Sequence, residues 1–154
     1  MKLAEALILR ADLQKRIEQL RQRLNRNAKV QEGESPVEDP RSLLSEFDAA
    51  TLELRDLIQR INRTNSSTPR DGDPGMTVAD AIALRDSLRL AFGAYNDLAQ
   101  AATVEHSRYS KSEIKFLPAI DVPAIRAQAD EYAVQHRELD ARIQGTNWLV
   151  ELVD

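Results

Sequence analysis

Four polar residues are the first candidates for a functional site. Two of them interrupt apolar repeats, and the other two are predicted to lie at the same level along the helix axes as the first two. Arg10 and His136 occupy positions of the first and last predicted helices where aliphatic residues are expected. At a rise of about 1.5 Å per residue, the third predicted helix brings Arg85 and Asp86 to the same level. Such groups either satisfy one another or bind a small anion. The predicted internal polar site, which is also the possible anion site, comprises Arg10, Arg85, Asp86 and His136.

The alternative for this internal site is a purely structural one. Arg10 can extend along the helix to the surface, and His136 can be a core histidine bonded to a neighbour. Buried polar groups of this kind also fix the register of helices in some bundles. Both interpretations stay open at the level of sequence.

A second candidate is a basic patch at the opposite end of the predicted helices. Cations here suit phosphate or another anion. They also interact favourably with the negative ends of helices, and the acidic loop from Glu32 to Asp39 lies nearby to neutralise them. The basic end patch comprises Arg26, Lys29, Arg108, Lys111 and Lys115.

A third candidate is a short segment before the last helix. Ile114, Phe116 and Ile120 fall on alternate positions, and Pro118 excludes a helix interior, so we expect an extended segment. A lone extended segment has unpaired backbone groups. It either covers the end of its own helices or pairs with its copy in another subunit, and the second possibility predicts a homo-oligomer.

Catalytic and metal motifs are missing from the sequence. The two histidines, His106 and His136, do not follow a glutamate by three places, as helical di-iron sites require, and there is no cysteine. No Gly-rich phosphate loop or Gly-x-Ser-x-Gly elbow occurs. We therefore expect no catalytic residue, no metal and no cofactor, and a non-enzyme rather than an enzyme.

Composition narrows the class of protein further. The chain has 154 residues and a formal charge of −4, which fits one domain over residues 1–154 and argues against nucleic-acid binding. No apolar run reaches the roughly 20 residues of a membrane span, and Glu5 and Arg10 interrupt the only candidate signal core. We expect a cytoplasmic protein with no membrane partner.

The positioning elements are four long amphipathic helices. Apolar residues repeat every seven positions from Leu3 to about Lys29, and a second helix begins at Pro40, after the N-cap Asp39. Residues 66–75 are the strongest breaker. A Thr77–Asp80 capping box then starts a helix that reaches about His106, and Asp121 caps the last helix. Trp148, Leu149 and Leu152 form an apolar tail.

Loops of about ten residues allow antiparallel neighbours. The sequence therefore predicts an all-α protein: an antiparallel four-helix bundle of two long helical hairpins, with a short extended segment before the last helix. In this topology the C-terminus lies beside the start of the first helix and the end of the second.

Several polar stretches carry a family resemblance. Residues 1–24, 27–34, 61–65, 107–115 and 138–144 together resemble a small bacterial family of unassigned function, whose members are sometimes labelled septicolysin. The resemblance covers nearly the whole chain. It implies a helical, cytoplasmic, bacterial protein, and it transfers no catalytic residue.

Three functions follow as hypotheses. The leading one is a non-enzymatic, self-associating helical bundle that acts as an interaction or scaffold protein. The alternative is a small-anion-binding protein or enzyme that uses the internal polar site. The third is the cytolysin-like membrane activity that the family label suggests, although no export signal or basic amphipathic face supports it.

Overall fold

Four long helices and one small sheet make up the structure, a computed structural model that describes residues 1–70, 73–103 and 114–154. The helices are α1 (Leu3–Arg26), α2 (Pro40–Ser67), α3 (Val78–Ala101) and α4 (Val122–Leu149). Strands β1 (Pro69–Arg70) and β2 (Asp73–Thr77) pair in a two-stranded sheet. The predicted all-α class is confirmed. The sheet was not predicted, because Pro and Gly in residues 66–75 indicate a turn without showing which flanking residues pair.

Three helices begin where their capping residues predicted. The Asp39 carboxylate accepts a backbone N–H of the first turn of α2, with Pro40 as the first helical residue. Thr77 and Asp80 form the reciprocal capping box of α3, at 2.9 and 3.2 Å between backbone nitrogen and side-chain oxygen. Hydrogen bonds from Thr77 lower the pKa of Asp80. Asp121 accepts a backbone N–H of α4 at 3.1 Å.

Helix ends differ more from prediction than helix starts. α1 ends at Arg26 rather than near Lys29, because the buried Asn27 side chain donates to the Arg23 carbonyl at 2.9 Å and caps the helix there. α3 ends at Ala101, and the predicted end at His106 lies outside the described residues. α4 includes Trp148 and Leu149, which were predicted as part of a tail.

The contacts within the chain group into two units. The first unit is Met1–Pro69 with Gln144–Asp154, and the second is Arg70–Ile143. The first therefore contains α1, α2 and the C-terminal residues, and the second contains β2, α3 and most of α4.

In the first unit, α1 and α2 form an antiparallel hairpin. The start of α1 packs on the end of α2, and the end of α1 packs on the start of α2. The predicted seam residues Ala6, Leu13 and Leu20 are all buried, so the heptad pattern identified the packed face of α1 correctly. The two buried clusters are Leu3, Ala6, Leu13, Leu57, Ile61 and Leu152, and Leu20, Leu43 and Ala50.

The C-terminal residues complete the core of the first unit. Leu152 is buried among α1 and α2, and its backbone N–H donates to the Met1 carbonyl at 2.8 Å. The Leu3 N–H donates to the Val150 carbonyl at 2.9 Å, and the Val153 N–H donates to the Thr64 hydroxyl at 3.1 Å. The prediction that the C-terminus lies beside the start of the first helix and the end of the second is confirmed.

In the second unit, α3 and α4 also run antiparallel. Ala81 and Leu88 of α3 are buried with Leu139 and Ile143 of α4, and Met76 of β2 packs against this cluster. Further along the hairpin, the rings of Tyr95 and Tyr132 meet edge to face, with centroids 5.2 Å apart. A hydrogen bond with Tyr95 raises the pKa of Tyr132.

We expect the Thr64→Val substitution to lower the free energy of unfolding by about 1–3 kcal/mol, measured by urea denaturation. Thr64 is 0% exposed, and its hydroxyl both donates to the Arg60 carbonyl and accepts from the Val153 N–H. Valine keeps the shape but leaves that N–H without its acceptor.

Thr51→Val is the matched control, because the Thr51 hydroxyl donates to a carbonyl of the same helix, that of Asp48, and holds no chain terminus. Equal losses of stability in the two variants would contradict a special role for the Thr64 hydroxyl.

Candidate functional site

The connection into α4 exposes a contiguous apolar surface. Residues 114–120 form neither helix nor strand, and the side chains of Ile114, Phe116 and Leu117 are 83%, 85% and 81% exposed. Single exposed apolar side chains are common in soluble proteins, whereas larger exposed apolar patches often mark interaction sites, so these three residues are a candidate interaction site. We call residues 114–120 the apolar segment.

The apolar segment borders a groove in the second unit. Residues 116–120 form one wall, and the end of α3 forms the other through Leu98, Ala101, Ala102 and Thr103. The groove has a volume of about 500 Å³, which lies within the size range of binding grooves. Its lining side chains are aliphatic or aromatic apart from Thr103, so its chemistry is that of apolar contact.

Short-range contacts place the apolar segment between α3 and α4. The Arg126 guanidinium donates to the Thr103 hydroxyl at 3.1 Å and joins the start of α4 to the residues after α3. Asp121 fixes the first turn of α4, and Ile120 is half-buried. The backbone therefore enters α4 in one orientation while Phe116 and Leu117 stay exposed.

The internal polar residues of the second unit form an ion-paired cluster around Arg85. Its Nε and Nη2 donate to Asp86 Oδ1 at 3.1 and 2.9 Å, and its Nη1 donates to Asp140 Oδ1 at 3.0 Å. Burial opposes the charge of Arg85, but the hydrogen bonds to both carboxylates outweigh it and raise the pKa. The bridge to Asp140 links α3 to α4, and the sequence analysis did not include Asp140 in the site.

The remaining two residues of the predicted internal site lie in different units. His136 is a half-buried residue of α4, four positions before Asp140 and therefore on the same face of the helix. Arg10 is a half-buried residue of α1 in the first unit, and its Nε is shielded from solvent without a hydrogen-bond partner in the described part of the chain. That the four residues form one layer stays a prediction.

The predicted basic end patch is described only in part. Arg26 and Lys29 are exposed and line a groove of about 420 Å³ beside the loop between α1 and α2. Lys115 is exposed in the apolar segment. Arg108 and Lys111 lie outside the described residues, so anion binding at this patch stays a prediction.

An ion pair holds the loop between α1 and α2. Arg23 donates through Nε to both Glu38 carboxylate oxygens at 3.1 Å, and its Nη2 also pairs with Glu38. The Glu38 N–H donates to the Asn27 amide oxygen at 3.0 Å. Hydrogen bonds from Arg23 lower the pKa of Glu38 and raise that of Arg23. Glu38 was predicted to lie near a cationic helix end, but Arg23 was not predicted as its partner. The way the loop closes decides which cation the carboxylate meets.

The described part of the chain shows no feature typical of a metal site or of a membrane span. There, no three His, Asp or Glu side chains come together in a way that could hold a metal ion. None of the described helices combines the length and apolar character that a bilayer crossing requires.

Fold and site together define a protein of paired antiparallel helices with an exposed apolar connection. The chain belongs to a family described as "Family of unknown function (DUF6847)", whose model matches residues 10–152. Its fold is similar to that of a functionally unknown conserved protein from Corynebacterium diphtheriae, whose crystal structure matches with 46% sequence identity and a TM-score of 0.91 over 99% of both chains. No curated protein matches the chain. These comparisons assign no function.

We expect Arg85→Met to destabilise the protein by about 1–2 kcal/mol more than Arg55→Met, measured by urea denaturation. Each arginine donates hydrogen bonds to the aspartate that follows it in sequence, with nearly the same geometry. The Arg85 side chain is only 24% exposed and also bridges to Asp140, whereas the Arg55 side chain is 60% exposed. The difference between the variants isolates the link between the helices. Equal effects would show that this link contributes nothing measurable.

Glu38 should make stability depend on pH in the acid range. Its pKa is lowered from 4.5 in the folded protein, so its stabilising contribution is fully present above pH 4.5 and is lost as the pH falls through the lowered value. Glu38→Gln should therefore destabilise the protein at pH 7, and the gap between variant and wild type should close below pH 4.5. Unfolding curves from pH 7 to pH 3 measure this, with the exposed Glu53→Gln as control. A constant gap over this range would exclude the effect.

Proposed function

We propose that this protein is a non-enzymatic, cytoplasmic helical protein that self-associates through the apolar segment and acts as an interaction or scaffold protein. The observation that carries the proposal is the exposure of Ile114, Phe116 and Leu117 within four residues of one connection. A chain without cysteine needs no oxidising compartment, which supports the cytoplasmic assignment.

The backbone of the apolar segment favours a second copy of the chain as the partner. No hydrogen bond joins the backbone of residues 115–119 to any residue that the structure describes. A two-fold contact brings the same polar backbone groups and the same apolar side chains together from both copies. When two such segments pair, the backbone groups of each can hydrogen-bond those of the other, and the apolar side chains of both are buried in the same contact.

The free energies involved predict a reversible association. Burying one large apolar side chain stabilises a contact by about 1.5–3 kcal/mol, so six side chains from two copies contribute on the order of 10 kcal/mol. Loss of translational and rotational freedom costs about 4–15 kcal/mol at 1 M standard state. Because these two quantities are similar, we expect a dimer or larger oligomer whose population rises with protein concentration.

Phe116→Glu should convert the wild-type oligomer to monomer at every concentration tested. The substitution places a charge at the centre of the apolar segment, and the exposed position of Phe116 leaves the fold intact. Light scattering on a size-exclusion column measures the mass, and circular dichroism verifies the helices.

Val37→Glu is the matched control, because Val37 is a 97% exposed apolar residue of a loop in the first unit. It should associate like the wild type. A wild-type protein that is monomeric at all concentrations would refute self-association, and an equal effect of both variants would place the interface elsewhere.

Small-anion binding is the second candidate, and the shielded Nε of Arg10 without a partner is the observation that favours it. A guanidinium with an unused donor is a common component of anion sites. Arg85 argues the other way, since two carboxylates already accept its hydrogen bonds. If Arg10→Ala and His136→Ala leave every ligand-induced shift in stability unchanged, this candidate is wrong.

Membrane lysis, which the septicolysin label of the resembling family suggests, is the third candidate. The exposed side chains of the apolar segment are the observation that favours contact with lipid. Dye release from liposomes separates this candidate from self-association. Purified protein that releases no dye at micromolar concentration excludes it.

A further inference from the structure

A small groove in the second unit combines a partly buried arginine with an aliphatic floor. It has a volume of about 190 Å³ and lies among β1, α3 and α4. Its aliphatic lining, called the floor below, is Leu84, Leu88 and Leu139, and Arg70 and Gln135 also line it. Glu138 and Arg142 complete the lining. The groove shares no residue with the apolar segment.

Arg70 is the most unusual group in this groove. Its side chain is only 16% exposed, and its Nη2 donates to Asp73 Oδ2 at 3.1 Å. Its Nε is shielded from solvent and has no hydrogen-bond partner among the residues that the structure describes. Arg70 also lines the groove, so an anion bound there would meet the positive charge of its guanidinium.

The lining also limits the class of ligand. The aliphatic floor suits a short hydrocarbon chain, since Leu88 and Leu139 belong to the buried core and Leu84 continues their surface outward. The lining carries two arginines, Arg70 and Arg142, and one glutamate, Glu138, and this small excess of positive charge suits a monoanion better than a dianion such as phosphate. The groove is smaller than a typical drug-sized pocket, so its ligand has few non-hydrogen atoms.

We propose that this groove binds a small apolar carboxylic acid, with the carboxylate on Arg70 and the hydrocarbon chain on Leu84, Leu88 and Leu139. Gln135 lines the same groove and can donate its amide N–H to the second carboxylate oxygen. The binding is independent of self-association, because it uses other residues. For a ligand of this size we expect a Kd on the order of 1 mM.

Titration of the full chain with sodium hexanoate, followed by two-dimensional amide NMR, tests the proposal. Hexanoate should cause saturable shifts of the Leu84, Leu88 and Leu139 signals, whereas 1-hexanol and inorganic phosphate at matched ionic strength should not. Shifts of equal size with hexanol would show an apolar site that ignores the carboxylate, and would overturn the proposal. Equal shifts with phosphate, or no saturable shift with hexanoate, would overturn it as well.

Two variants and one control attribute the binding to this groove. Arg70→Gln should weaken hexanoate binding at least tenfold, because the amide lacks the charge. Leu84→Trp should weaken it at least tenfold by filling the groove from a partly exposed position, without disturbing Asp73. Arg55→Gln, which removes an exposed ion-paired arginine of α2, should bind like the wild type. If either groove variant binds hexanoate as well as the wild type does, the proposed site is wrong.

Discussion

An amphipathic helix buries only one stripe of its surface against a single neighbour, so a pair of helices needs a third element to close its core. Each unit of this protein meets that constraint differently. In the first unit the third element is the C-terminal tail, whose Leu152 enters the cluster between α1 and α2. In the second unit it is β2, whose Met76 packs on the cluster between α3 and α4. The long helices depend on these short segments, since most helical stability in proteins comes from packing.

The tail is fixed mainly by backbone groups, which makes its position specific. Its N–H groups reach the Met1 carbonyl and the Thr64 hydroxyl, and the Val150 carbonyl accepts from Leu3. Side-chain charge adds to this, because the Lys2 ammonium lies 2.7 Å from the Glu151 carboxylate and lowers its pKa through that hydrogen bond. Thr64 is the pivotal residue here, because its hydroxyl bonds both its own helix and the tail.

The same constraint explains where function can lie. Leu152 and Met76 are used to close the two cores, whereas no residue of the apolar segment belongs to a buried cluster of the described chain, and Phe116 and Leu117 stay exposed. Arg85 illustrates the opposite case, since its charge is used to link α3 to α4. The two binding surfaces proposed above therefore lie in the connection before α4 and in the groove beside β1.

The sequence by itself determined the number of helices, the buried face of α1 and the starts of all four helices. These features depend on interactions within a few residues, such as the Thr77–Asp80 capping box, or on the heptad spacing of Ala6, Leu13 and Leu20. The absence of helix in residues 114–120 was also predicted, because Pro118 excludes a helix interior at this point of the chain.

Only the tertiary structure decided which distant groups meet. Glu38 pairs with Arg23, and Asp140 joins Arg85, although several other charged residues lie at comparable distances along the chain. The pairing of β1 with β2 and the shielded position of the Arg70 Nε were likewise decided only by the tertiary structure. The physical reason is that such contacts depend on loop closure and on side-chain packing between distant segments. A local sequence pattern therefore cannot show which of several similar partners the folded chain brings within hydrogen-bonding distance.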